Sequence, residues 1–263
     1  MAELALNGAS LSYEERGQGY PSFLFVHGWA SDRSIWAAQM EEFSRDHRCL
    51  AVDLRGRGAS APVPPFDMAQ AAQDLAGLIE TLGLAPVVFV GHSLGGIAGL
   101  ILNDRYPDLL TGVALLESPI NGTTGANSPA AIAAIRNSGS MAAVAAALEG
   151  YGYDPPNVLT QGYIERVLMT CPADVAAGQL EKLDAIGRDL ARLLKVTDRK
   201  PFMIVWAEEP IGDPGWIRDH TTFVRQEPVA ESGHFVSLEQ PAILNALLRA
   251  FLDDISRDPR VKH

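Results

Sequence analysis

The chain has 263 residues, 47% of them hydrophobic and 20% charged. That is enough to bury one large core, with or without an insertion, and too apolar for disorder. A formal net charge of −11, with the lysines and arginines scattered, sets aside nucleic acid and anionic membrane surfaces as partners.

Two cysteines, Cys49 and Cys171, lie outside any metal-ligand spacing and read as free thiols. Residues 1–7 lack the basic-then-apolar order of a signal peptide, and no run approaches the roughly 18 apolar residues of a spanning helix. The expectation is a cytoplasmic monomer or homodimer acting on a small molecule, with no membrane, nucleic acid, metal or cofactor.

In chain order, the first 25 or so residues read as two strands and a turn, the second strand over 11–16. Residues 22–26 form a short continuous apolar run, the signature of a parallel strand buried on both faces. Residues 32–43 read as a helix capped by Ser31 or Asp32, followed by a strand over 49–52 and a helix over about 68–82. Another apolar run, 87–90, leads into Gly91-His92-Ser93-Leu94-Gly95 and then a helix-forming stretch. Strand, tight turn with flanking glycines, then helix is the context of a nucleophile elbow. The turn strains the serine and lifts its hydroxyl from the end of a sheet, beside helix amides that favour negative charge. A strand over 112–116 ends at Glu117-Ser118-Pro119.

From about 121 to 200 the strand pattern stops. Alanine-rich helical stretches appear over 129–136, 141–148, 164–169 and 173–194, punctuated by Gly150, Gly152, Pro155, Pro156 and Pro172. We read a core of residues 1–120 and 201–263 and a helical cap (lid) over 121–200. The cap carries Met141, Leu148, Tyr151, Tyr153, Leu159, Tyr163, Val167, Leu168 and Met169; most are expected to pack the lid against itself and the core, and a few to face a mostly apolar chamber. Strands resume at 202–206 and near 222–229, and a last helix runs over about 239–255. Alternating strands and helices imply an α/β fold, a mostly parallel sheet covered on both faces, with ligands bound beyond the carboxyl ends of its strands.

Four motifs lie at such ends: His27-Gly28-Trp29, Asp53-Leu54-Arg55-Gly56-Arg57-Gly58, Gly91-His92-Ser93-Leu94-Gly95-Gly96 and Ser232-Gly233-His234-Phe235. In this order and spacing the chain resembles the α/β-hydrolase superfamily over nearly its whole length, in the serine-nucleophile branch with a helical lid. The resemblance implies Ser93 as nucleophile and His234 as general base, a role that suits imidazole. It implies an oxyanion hole from the backbone N–H groups of Trp29 and Leu94. His92 is expected near the substrate pocket. His27, placed there too, is expected to brace the oxyanion loop. His47, His220 and His263 read as surface residues, and the 53–58 stretch as a structural turn.

Relatives usually carry the third residue, an acid, in a Gly-x-x-Asp pattern after the strand over 202–206. Here that stretch is Ala207-Glu208-Glu209-Pro210, with Pro210 where Asp is expected. Glu117 is the leading candidate, because some relatives draw their acid from the end of the strand after the elbow. Glu209 and Asp213 are the alternatives. Its work is to fix the tautomer of His234 and stabilise its charged form. Serine at the elbow argues against a hydrolytic dehalogenase. A serine hydrolase of a small, moderately apolar carboxylic ester or lactone fits these parts. A C–C bond hydrolase, a cofactor-independent dioxygenase and a slow-turnover ligand receptor remain open on the same fold.

Overall fold

A computed structural model describes residues 1–121, 128–138 and 158–261. Eight strands form one sheet: β1 (Ala2–Leu6), β2 (Ala9–Arg16), β3 (Ser22–Val26), β4 (Cys49–Val52), β5 (Val87–His92), β6 (Leu110–Leu116), β7 (Phe202–Trp206) and β8 (Val224–Pro228). Their order is β1-β2-β4-β3-β5-β6-β7-β8. β2 pairs antiparallel with β1 and β4, and every other pairing is parallel. The carboxyl ends of β3 to β8 therefore share one edge of the sheet.

Strand periodicity sorts the core. Leu24, Val26, Phe89, Leu115 and Ile204 face one side, where they pack with Leu75, Ile79, Leu100 and Leu194. These belong to α2 (Met68–Thr81), α3 (Leu94–Arg105) and, for Leu194, the helix Leu183–Thr197. Phe23, Phe25, Val88, Val90, Leu116 and Val205 face the other side. There they meet Met40 and Phe43 of α1 (Ala37–Phe43) and Leu244, Leu248 and Phe251 of the last helix, Pro241–Arg257. Successive side chains of a strand point to opposite faces, so a strand apolar at every position must be covered on both.

Between β6 and β7 the described chain is helical: α4 (Pro129–Ser138), α5 (Val158–Thr170), α6 (Ala173–Leu180) and α7 (Leu183–Thr197). The single helix expected over 173–194 is two. Glu181 is extended and Lys182 adopts a left-handed backbone (φ +64°), which no helix can continue through. The expected helix over 141–148, with Tyr151 and Tyr153, lies outside the described residues, as do the side chains of Leu159, Leu168 and Met169 and all of His263.

After β7 come α8 (Pro214–His220), α9 (Val236–Glu239) and α10 (Pro241–Arg257). The last helix is interrupted at Gln240 because the residue before a proline avoids the helical region, while Pro241 suits a first turn. The helix expected over 32–43 begins as a 3-10 turn, Arg33–Trp36, whose cap is Asp32. His47 is a correction. It is buried, its Nδ1 donating to the Pro21 carbonyl (3.0 Å) and its ring edge-on to Phe23. The chain turning back after α1 packs there on the Phe23 and Phe43 rings, which shed water by covering it. Nor is His220 fully exposed; it stacks on Trp216 with ring centres 3.9 Å apart. Cys49 and Cys171 are buried free thiols. No described helix is long and apolar enough to cross a membrane.

Candidate active site

Ser93 stands between β5 and α3 with φ +52° and ψ −120°. A non-glycine residue at positive φ is strained by about 1–3 kcal/mol and persists only where its surroundings over-determine it. The Ser93 N–H donates to the Leu116 carbonyl (2.8 Å), and its own carbonyl accepts from Gly96 (2.9 Å). The flanking glycines are forced by space. A Cβ on Gly91 would stand 2.8 Å from the Gly95 carbonyl group, and one on Gly95 would stand 2.5 Å from the His27 oxygen.

Glu117 follows β6, the strand beside β5, and it too has positive φ (+44°). Its side chain is fully buried. Oε1 accepts from the Ala207 N–H (2.8 Å) and Oε2 from the Ile211 N–H (3.3 Å). The loop after β7, which lacks the usual aspartate, thus supplies amide donors to an acid on the neighbouring strand. Oε2 of Glu117 lies 3.5 Å from Nδ1 of His234. Burial raises the Glu117 carboxyl to about 7, against those two amides that favour its charged form. Burial also lowers His234 to about 4.

The other two candidate acids are placed differently. Asp213 caps α8, its carboxylate accepting from the Trp216 N–H (2.9 Å). Glu209 is exposed to solvent while His234 is 5% exposed.

Leu94 is the first residue of α3, so its N–H is among the four that a helix cannot satisfy internally. The loop after β3 crosses directly over Ser93: a Cβ on Gly28 would sit 2.8 Å from the serine Cβ. The Trp29 indole is not a loose pocket wall. Its Nε1 donates to the Ala176 carbonyl of α6 (2.8 Å) and it is 6% exposed.

His27 is held as a brace between two loops. Its Nδ1 donates to the Gly28 carbonyl (2.8 Å), its Nε2 accepts from the Leu54 N–H (3.0 Å), and the ring is fully buried. His92 sits against the site, its ring 4.6 Å from that of His234. It donates from Nε2 to the His234 carbonyl (2.8 Å), and burial holds it well below its ordinary pKa, hence neutral.

The 53–58 turn is tied to neighbouring segments by its own side chains. Asp53 pairs with Arg33 and accepts from the Arg33 N–H (2.8 Å) and Ala59 N–H (3.0 Å). Arg55 pairs with buried Asp74 (2.5 Å). Sequence reasoning missed Arg57 and Gln179. An arginine in a glycine-rich turn and a glutamine in a helix carry no signal of what they reach across the fold. Among the described residues, no group of three or more His, Cys, Asp or Glu side chains could hold a metal ion.

A family model described as the alpha/beta hydrolase family matches residues 23–247. The chain is 36% identical over 109 residues to 2-(acetamidomethylene)succinate hydrolase of Mesorhizobium japonicum, covering 41% of this chain and 39% of that protein. That match spans well under half of the relative's own length. It is 24% identical to 3-oxoadipate enol-lactonase 2 of Acinetobacter baylyi, over 95% of this chain and 94% of that one. The enol-lactonase from Burkholderia xenovorans superposes with a TM-score of 0.78 at 24% identity, covering 96% of this chain and 100% of the other.

Proposed function

The chain belongs to the alpha/beta hydrolase family, and from that premise we propose that it is a serine hydrolase of a small, moderately apolar carboxylic ester or lactone, working through an acyl-enzyme. The observation that carries this reading is the approach of His234 Nδ1 to Glu117 Oε2, 3.5 Å, at the strand edge that also bears Ser93. A carboxylate at Nδ1 keeps the proton on that nitrogen and leaves Nε2 as the base.

In this mechanism Ser93 Oγ bonds to the carbonyl carbon and its proton passes to Nε2 of His234. The carbonyl oxygen becomes an oxyanion that accepts from the Trp29 and Leu94 N–H groups. Collapse expels the alcohol, or opens the lactone ring, with the proton returned from His234. Water, deprotonated by the same nitrogen, then attacks the acyl carbon and frees the acid and Ser93. Water is the only co-reactant needed. Glu117 stabilises the imidazolium formed in each half, and its charge is worth more there because the site is buried.

We read the helices between β6 and β7 as the cap that closes the chamber. Tyr163 and Val167 of α5 are buried, and the Tyr163 ring lies 5.7 Å from that of Phe235, next to His234. Apolar rings beside the base suit an apolar acyl or alcohol group. The enol-lactonase relatives, aligned over nearly the whole chain, support the ester or lactone class.

The test is hydrolysis of a short p-nitrophenyl ester together with labelling by an organophosphate. Wild type should turn over and take up one label at Ser93, and Ser93→Ala should do neither. Turnover and labelling that survive in Ser93→Ala would remove the reading. Oxygen consumption without hydrolysis would replace it with the oxygenase alternative.

A further inference from the structure

Residues 28–31 form a β-turn closed by the Ser31 N–H and the Gly28 carbonyl (3.4 Å). Its third residue, Ala30, has φ +52°, a position where glycine is the usual choice. An alanine held there is strained, and both of its polar backbone groups are gripped by side chains from outside the turn. The Ala30 N–H donates to Oε1 of Gln179 on α6 (3.0 Å). The Ala30 carbonyl accepts from Nη2 of Arg57 (2.6 Å).

Arg57 is fully buried, and its guanidinium joins two elements. On one side it donates to the Ala30 and Ser31 carbonyls (2.6 and 2.8 Å). On the other it donates to the Val167 and Thr170 carbonyls of α5 (both 3.0 Å). These last-turn carbonyls lie where a helix runs out of backbone N–H donors, the Val167 carbonyl also accepting from the Thr170 hydroxyl (3.2 Å), and a cation is favoured at that helix end. The Trp29 indole adds its bond to Ala176, and Tyr163 and Arg166 of α5 hold Asp32, the carboxylate 2.6 Å from Arg166. The turn that presents the Trp29 N–H is thus built jointly by the core and by the helices packed over it.

We propose that Arg57 and Gln179 are positioning residues: by gripping the strained Ala30 peptide groups they hold the Trp29 N–H on the oxyanion, so that docking of α5 and α6 completes the oxyanion hole. This rests on the proposed role of Trp29 as an oxyanion donor. Its physical basis is that an oxyanion donor works only when aimed where the charge develops. A misplacement of about 1 Å costs on the order of a hundredfold in rate. A turn free to relax out of a left-handed conformation loses that aim, although nothing that touches the ester has changed.

The experiment compares wild type, Gln179→Met, Gln179→Glu and Arg57→Lys. Methionine matches the shape of glutamine but cannot accept from Ala30; glutamate still can. Lysine keeps the charge of Arg57, but its single nitrogen cannot reach two elements at once. Active sites are first counted by organophosphate titration. Then kcat and KM are measured with a short p-nitrophenyl ester, and affinity for an aryl trifluoromethyl ketone, whose serine adduct carries the oxyanion.

In Gln179→Met and Arg57→Lys, kcat per titrated site should fall about 10- to 100-fold, with KM within about twofold. Ketone affinity should fall in parallel, and Gln179→Glu should recover most of the loss. If kcat per site and ketone affinity stay at wild-type values while the melting temperature drops, the grip is only structural and the proposal is overturned. Failure of Arg57→Lys to fold leaves the Gln179 pair to decide. Wild type that takes up no organophosphate removes the hydrolytic reading itself, visible before any variant is made, and this proposal falls with it.

Discussion

Glu117, just past the end of β6, and His234, in the loop after β8, lie 117 positions apart in the chain and meet with Oε2 and Nδ1 separated by 3.5 Å in a site where both are buried. The carboxylate is clasped by the Ala207 and Ile211 amides. Position 210, where the usual acid would stand, belongs to the loop that provides those amides. An acid on the neighbouring strand therefore reaches the same histidine, at the cost of a left-handed backbone at Glu117.

Replacing the acid should separate the three candidates. Glu117→Ala is expected to lower kcat/KM by about 10²- to 10⁴-fold, the range for loss of acid–base support. Glu209→Ala should leave it unchanged. Asp213→Ala should leave turnover intact but cost about 1 kcal/mol of stability through the lost cap of α8. Ester hydrolysis rates and melting curves on the three variants check this. Wild-type turnover in Glu117→Ala would put the acid elsewhere.

The pH profile follows from the buried pair. The proposed mechanism needs His234 neutral and Glu117 ionised. Burial lowers His234 to about 4 and raises Glu117 to about 7, so the carboxyl sets the limit. The pair as a unit takes up one proton near neutrality. We expect kcat/KM to rise with pH along an acid limb of apparent pKa about 7. In Glu117→Gln the residual activity should lose that limb and hold down to about pH 5, where His234 starts to protonate. A limb left unmoved in Glu117→Gln would assign it to another group.

Stability should show the opposite face of the same burial. The folded pKa of Glu117 lies above its ordinary 4.5, so folding favours its protonated form. The penalty is absent below about pH 4.5, grows as pH rises and is complete above about 7. Glutamine does not titrate. Glu117→Gln should therefore be stabilised relative to wild type more at pH 8 than at pH 5, by about 2–3 kcal/mol. Urea melts of both proteins at the two pH values measure the difference. Equal gains at both would mean that the carboxyl is not perturbed.

Gly28 is held to glycine by space. A Cβ there would stand 2.8 Å from the Ser93 Cβ and 3.0 Å from the His92 carbonyl oxygen, with no flexible end free to yield. Gly28→Ala should lower kcat about 100-fold by displacing the turn or the serine, with a smaller effect on KM. Steady-state kinetics on organophosphate-titrated protein reads this directly, and a kcat within twofold of wild type would show that the turn yields freely.

Much of the site was legible from the sequence because it is written in short local patterns. The elbow announces itself by Gly91, Ser93 and Gly95 between an apolar run and a helix. Asp53, Gly56 and Gly58 announce a turn. β4 and β7 can be read from short runs apolar at every position, four and five residues long, as a strand covered on both faces requires. The break at Lys182 could not be read, because alanine-rich sequence on both sides favours helix and the left-handed residue is imposed by packing.

The sequence by itself determined the alternation of strands and helices in the core, the tight turn at Ser93, and the residue types available to the proposed chemistry. Those depend on residue type and on neighbours a few positions away. Tertiary structure alone decided which of three acids faces His234, that His47 is buried, and that Arg57 and Gln179 grip the turn over Ser93. Each of those is a contact between distant segments, fixed by how strands and helices pack, and no local pattern encodes the distance across a fold.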